Sequence, residues 1–245
     1  MHTLLTDVIR TLVPRKGDPD GPLPPLMLTL TVVTGLVDAV SFLGLGHVFV
    51  ANMTGNVVFL GFALAGAQSL SALASVVAVA MFLLGALAGG RLGTRFATHR
   101  GRLLTSATGV QAILVAVSCA VAAVTDGRIT TGVQYTLIVF LGTAMGLQNA
   151  VARRLGVADL TTTVLTLTLT GLAADSASAG GEAPRPGRRV LSVLAIFLGA
   201  LAGGGLLLHG HLVLLLGLTL TLLVITSVAS HRLSAGDAAW IRPRR

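Results

Sequence analysis

The sequence predicts an all-α polytopic membrane protein made of two inverted repeats, each with three crossings and one broken or re-entrant segment. Three observations carry this prediction. Of 245 residues, 53% are apolar and only 11% charged, with mean hydropathy +0.87; a soluble domain carries about 25% charged residues. The apolar residues gather into runs, most of them near the roughly 20 residues that a helical crossing needs. Short motifs also recur in the same order in both halves. This composition excludes a cytosolic enzyme, a soluble nucleic-acid-binding domain and a disordered regulator.

Residues 1–26 form an amphipathic segment and linker. Leu4, Leu5, Val8, Ile9 and Leu12 recur at helical spacing, with Asp7 and Arg10 between them. No long apolar core with a small-residue cleavage site follows, so a surface helix stopped by Pro14 is expected rather than a cleaved leader. The turn-rich stretch 17–25 leads into apolar runs at 27–46, 47–66, 70–90 and 103–124, the first repeat. An external loop at 125–130 precedes the second repeat, 131–229, with runs at 131–152, 157–173, 190–208 and 211–229. A loop at 174–189 and a basic tail at 230–245 complete the chain.

The duplication rests on three matches. GLVDAV at 35–40 resembles GLQNAV at 146–151, GALAGG at 85–90 recurs at 199–204, and Thr54-Gly55-Asn56-Val57 falls on Thr161-Thr162-Thr163-Val164. All three recur roughly 110 positions apart, as a fixed repeat requires.

Net charge is +8. Its placement, in short clusters between apolar runs, points to membrane topology rather than to nucleic acid. The clusters are Arg15 and Lys16; Arg91, Arg95, Arg100 and Arg102; Arg153 and Arg154; Arg185, Arg188 and Arg189; and Arg242, Arg244 and Arg245. If all eight runs crossed, as two parallel repeats, the Arg91–Arg102 cluster would lie outside. If 47–66 and 157–173 instead dip in and return, every cluster is cytoplasmic, as are both termini. An odd number of crossings per repeat then inverts the halves.

Asp38 is the one charged side chain between residues 27 and 90. An ionised Asp at the centre of a span costs about 2.5–3.5 kcal/mol, which points to a bound proton, cation or solute, or to an interhelical hydrogen bond. Arg153 or Arg154 is a candidate partner. Asn52, Thr54, Gly55 and Asn56 interrupt the second run, with Asn52 or Thr54 as a helix cap and Gly55 as a sharp turn. Thr161, Thr162 and Thr163 match them in the other half. Two half-helix starts facing each other at mid-membrane would offer free N–H groups to a small polar solute. Gln148 and Asn149 sit at the repeat positions of Val37 and Asp38, where they would line the same site or bond between helices. Gly85, Gly89, Gly199 and Gly203, four apart in each copy, favour close helix packing.

Other features carry less. Cys119 has no partner cysteine and reads as a small apolar filler. His209 and His211 lack a carboxylate or thiolate that would complete a metal site, and Trp240 reads as an interfacial anchor. Catalytic, nucleotide-binding and metalloprotease motifs are missing, and Asp38 has no second acid to make a protease dyad. No enzyme activity, cofactor, metal or nucleic-acid partner is expected; the expected partners are the lipid bilayer and an unidentified small solute, with a homo-oligomer left open.

The pattern Gly35-x-x-Asp38-Ala39-x-x-Phe42, then Thr54-Gly55-Asn56, then Gly146-Leu147-Gln148-Asn149-Ala150 resembles the YoaK-like family of bacterial inner-membrane proteins, domain of unknown function 1275. The likeness covers about residues 27–228. It implies an integral protein of the bacterial inner membrane and names no substrate. One departure is Leu167, which follows Thr166 where the family pattern has Gly. The chain therefore reads as a small secondary transporter or channel, the alternative being a membrane scaffold whose glycine faces bind partner helices.

Overall fold

A computed structural model describes residues 2–15, 17–160, 162–163, 165–176, 179–181, 185–235 and 239–242. Regular structure among the described residues is helical. A short helix α1 (His2–Leu12) precedes α2 (Leu23–Ala39), which continues through a π turn over Val40–Gly44. Then come α3 (Met53–Leu64), α4 (Ala72–Arg95), α5 (Arg100–Val124), α6 (Thr131–Leu155), α7 (Leu165–Ala174), α8 (Pro186–Leu208) and α9 (Leu212–Leu233). Six stretches are long and apolar enough to cross a bilayer: Leu23–Gly44, α4, α5, α6, α8 and α9, of 22 to 25 residues each. At 1.5 Å per residue they reach about 33–38 Å, against a hydrocarbon core of about 30 Å. α3 and α7, with 12 and 10 residues, reach only about 15–18 Å. The chain is a polytopic all-α membrane protein.

Local sequence explains the helix ends. α2 begins at Leu23, earlier than the apolar run alone suggests, because Pro24 and Pro25 fall in its first turn, where a missing N–H costs nothing. Ser71, His99 and Thr130 cap α4, α5 and α6 by accepting from the amides of Ala74, Arg102 and Val133. Gly156 closes α6 in the left-handed conformation, φ 60°. α8 begins at Pro186, so Arg188 and Arg189 belong to its first turn rather than to the preceding loop.

Contacts between helix ends distinguish two faces. On the basic face, Arg100 at the start of α5 donates to the carbonyls of Leu155 at the end of α6 (2.7 Å) and Pro19 ahead of α2 (3.2 Å). Arg188 at the start of α8 donates to Asp20 (3.2 Å). On the opposite face, Gln134 near the start of α6 donates to the carbonyl of Leu45 (2.9 Å), while Gly44 lies beside Ile129 and Leu207.

The two short helices are re-entrant in this frame. Beyond Leu45 the chain turns back inward until Ala51 lines the same space as Asp38. α3 then returns to the face where α4 starts. After α6 ends on the basic face, the chain turns inward until the Thr163 hydroxyl donates to Asn149 Oδ1 (2.5 Å). α7 then returns to the basic face, where Asp175 meets Arg189 (2.7 Å). Asp38 and Asn149 each lie about 9 Å along their spans from the nearer end.

Packing crosses between the halves: α2 lies along α8, α4 along α6, and α5 along α9. The glycine motifs seat these pairs. A β-carbon on Gly85 would overlap the carbonyl of Thr143, one on Gly146 that of Phe82, one on Gly35 that of Ile196, and one on Gly199 that of Val32. A β-carbon on Gly89 would lie 2.8 Å from the Leu147 carbonyl oxygen, and one on Gly203 would lie 3.1 Å from the Leu36 α-carbon. Each GALAGG copy thus packs on the GLVDAV-type motif of the other half.

Two terminal features differ from the sequence expectation. Besides its outward apolar side (Leu5, Ile9, Leu12), α1 docks on α8, where the Asp7 carboxylate accepts from the Arg188 amide (3.2 Å) and Gly187 abuts the α1 backbone. Trp240 is no exposed anchor: it is 5% exposed and packs on Gly21 and Gly101, whose missing side chains make room for its ring.

Candidate functional site

A cavity of about 620 Å³ lies between the two halves. Asp38 of α2 and Asn149 of α6 contribute polar groups from long spans. Asn52, Met53, Thr54 and Gly55 bring the start of α3; Thr163, Leu165 and Thr166 bring the start of α7. Phe59, Phe82 and Ile196 supply hydrophobic wall. Both re-entrant helices therefore direct their N-termini into one space. A helix start offers N–H groups with no intrahelical acceptor and roughly half a positive charge.

Asp38 is the sole charged lining residue among those described. Its Oδ1 is buried and makes no hydrogen bond, and no basic side chain approaches it among the described residues, Arg153 and Arg154 included. Asn52 precedes α3 in extended conformation but its side chain does not cap the helix. Both Asn52 and Thr54 are exposed. Open backbone N–H groups within a membrane are tolerable only inside protein or facing a water-filled cavity. The π turn after Asp38 is the kind of helix irregularity that recurs at functional sites.

Several residues chosen from sequence lie elsewhere. Asn56 is fully buried behind α3: its Oδ1 accepts from the Phe49 amide (2.8 Å) and its Nδ2 donates to the Phe49 carbonyl. It fastens the inward loop rather than facing solute. Gln148 bonds between helices, accepting from Gln111 (2.6 Å) and donating to Thr34 (2.9 Å). Thr162 is buried outside the lining with its hydroxyl unpartnered, and Thr161 lies outside the described residues. Gly55 does line the cavity, but as a helical residue rather than a turn, and its bare face admits the ring of Phe49. His209 hydrogen-bonds the Gly205 carbonyl of its own helix (2.7 Å).

Sequence reasoning missed Phe82, Ile196 and Thr166. A signal existed for each. Phe82 and Ile196 stand three residues before the two GALAGG copies. Thr166 stands second in α7, as Thr54 stands second in α3.

Six spans, two short half-helices and a polar cavity among them define a multi-pass membrane protein. A family profile described as protein of unknown function (DUF1275) matches residues 26–228, and the chain belongs to that family. It is similar to the UPF0700 transmembrane protein YoaK of Bacillus subtilis (strain 168), with 34% identity over 151 residues, 61% of this chain. The matched stretch spans 65% of that relative's length. No solved structure matches the chain.

Proposed function

We propose that this protein is a small-solute secondary transporter or channel of the bacterial inner membrane, with Asp38 as its proton- or cation-coupling group. One observation carries this reading: a carboxyl group with one unpartnered oxygen lines a cavity into which two re-entrant helices point their N-termini. A dry, fully packed centre would have suited a scaffold. The glycines that a scaffold would offer to partners, Gly85, Gly89, Gly199 and Gly203, are already occupied by helices of the same chain. The reading needs no catalytic chemistry, cofactor or metal.

Inverted repeats support the same proposal. Exchanging the halves turns the α2–α8 contact into α6–α4, leaves α5–α9 in place and swaps α3 with α7. On this reading the positive-inside rule makes the basic face the cytoplasmic one.

The test starts from purified protein. A solute library is screened by thermal shift, since a ligand stabilises the state it binds, and hits are followed by uptake into proteoliposomes. Asp38→Asn should retain the fold and lose gradient-driven uptake. Unchanged driven uptake in that variant would remove Asp38 from the mechanism.

A further inference from the structure

Building on the transporter reading of this cavity, we infer that its ligand is a zwitterion of the α-amino-acid type. The ammonium meets Asp38 and the carboxylate meets the start of α3.

Charge is the first argument. Asp38 brings one negative charge when ionised, and the lining contains no Lys, Arg or His among the described residues. The two helix starts bring about half a positive charge each. The site as a whole is then near neutral, with its charges separated in space. A monocation or monoanion entering alone would leave an uncompensated charge inside the membrane, which is expensive. A ligand with both charges and no net charge leaves none.

Geometry is the second argument. The negative and positive elements are neighbours: Ala51 and Asn52, just ahead of α3, and Met53, its first residue, share the cavity lining with Asp38. In an α-amino acid the two charged groups sit on one carbon, so they need two receptors side by side. Asp38 lines the cavity, and its buried Oδ1 accepts no hydrogen bond. It is a free acceptor for an ammonium. Beside it, the first-turn amides of Met53, Thr54 and Gly55 have no intrahelical acceptor, and the Asn52 side chain does not cap them. They are free donors for a carboxylate, as discontinuous helices are in other transporters.

The remainder of the cavity suits the rest of such a molecule. Phe59, Phe82 and Ile196 form an apolar wall for a side chain. The volume of about 620 Å³ lies within the roughly 300–1,000 Å³ of small-molecule sites.

The test uses the full chain in lipid nanodiscs and isothermal titration with matched trios. L-Alanine is compared with ethylamine and propionate, L-leucine with 3-methylbutylamine and 4-methylpentanoate, and L-phenylalanine with 2-phenylethylamine and 3-phenylpropionate. At least one amino acid should bind tenfold or more tightly than both of its single-charge relatives. Asp38→Asn should weaken that amino acid at least tenfold and leave the acid unchanged. Met53→Pro removes one first-turn N–H where proline is tolerated, since Asn52 is already extended. It should weaken the amino acid and the acid while leaving the amine unchanged. An amine or an acid binding as tightly as its parent amino acid overturns the zwitterion and leaves the transporter reading standing. So does a library hit of another class that binds the wild type and not Asp38→Asn. If neither trios nor library give a ligand, both readings fall.

Discussion

Gly35 of α2 and Gly199 of α8 face each other so closely that a β-carbon on Gly199 would lie 3.2 Å from the Gly35 α-carbon and overlap the Val32 carbonyl. The obstructing atoms are backbone, which has no rotamer by which to yield. Overpacking a core usually costs about 1–3 kcal/mol, and more where backbone must move. Gly199→Leu is expected to lower the thermal midpoint of the detergent-solubilised protein sharply or to abolish its accumulation. Gly205→Leu, on the same helix but facing open space, should leave the midpoint unchanged. Equal tolerance of both would mean that α2 and α8 do not pack this way.

Asn56→Ala should be more damaging than Thr54→Ala, although the two residues are two apart. Asn56 satisfies both the amide and the carbonyl of Phe49, and each buried backbone group left unpaired costs about 1–3 kcal/mol. Thr54 is exposed to the cavity. Thermal denaturation of the two variants separates them; a larger loss in Thr54→Ala would contradict the assignment of Asn56 as the loop fastener.

Arg189 ties down both ends of the α7 excursion, donating to Asp159 (2.8 Å) and to Asp175 (2.7 Å). The two acids are not equivalent. The Asp159 side chain is 18% exposed and that of Asp175 is 46% exposed. Exposed pairs contribute about 0–1 kcal/mol, whereas breaking a buried pair costs several times more. Asp159→Asn should therefore destabilise more than Asp175→Asn, and its cost should persist at high salt. Urea titrations of both variants at two ionic strengths check this, and the reverse order would show that the clasp is not held at Asp159.

Topology offers a direct measurement. In a Cys119→Ser background, cysteine at Gln68 should react with an impermeant maleimide added outside intact cells. Cysteine at Thr98, beside the basic face, should react only in inside-out vesicles. Labelling of both positions from one side would rule out the six-crossing frame, because α4 alone separates them.

The sequence by itself determined the class, the six spans, the two short interrupted segments and the basic face. These follow from hydropathy and charge, which report how each segment partitions between water, headgroups and hydrocarbon. It also singled out Asp38, because a lone acid in an apolar span is costly wherever its neighbours lie. Tertiary structure alone decided which of two adjacent polar residues faces the cavity. Gln148 and Asn149 are consecutive, yet successive residues on a helix point about 100° apart, so one bonds to Gln111 and Thr34 while the other lines the site. Asn56 and Thr54 divide in the same way. The partner of each glycine motif was equally a matter of packing: GALAGG contains the small residues that a close contact requires, but only the crossing of the two halves chose Gly146 and Gly35 as the surfaces they meet.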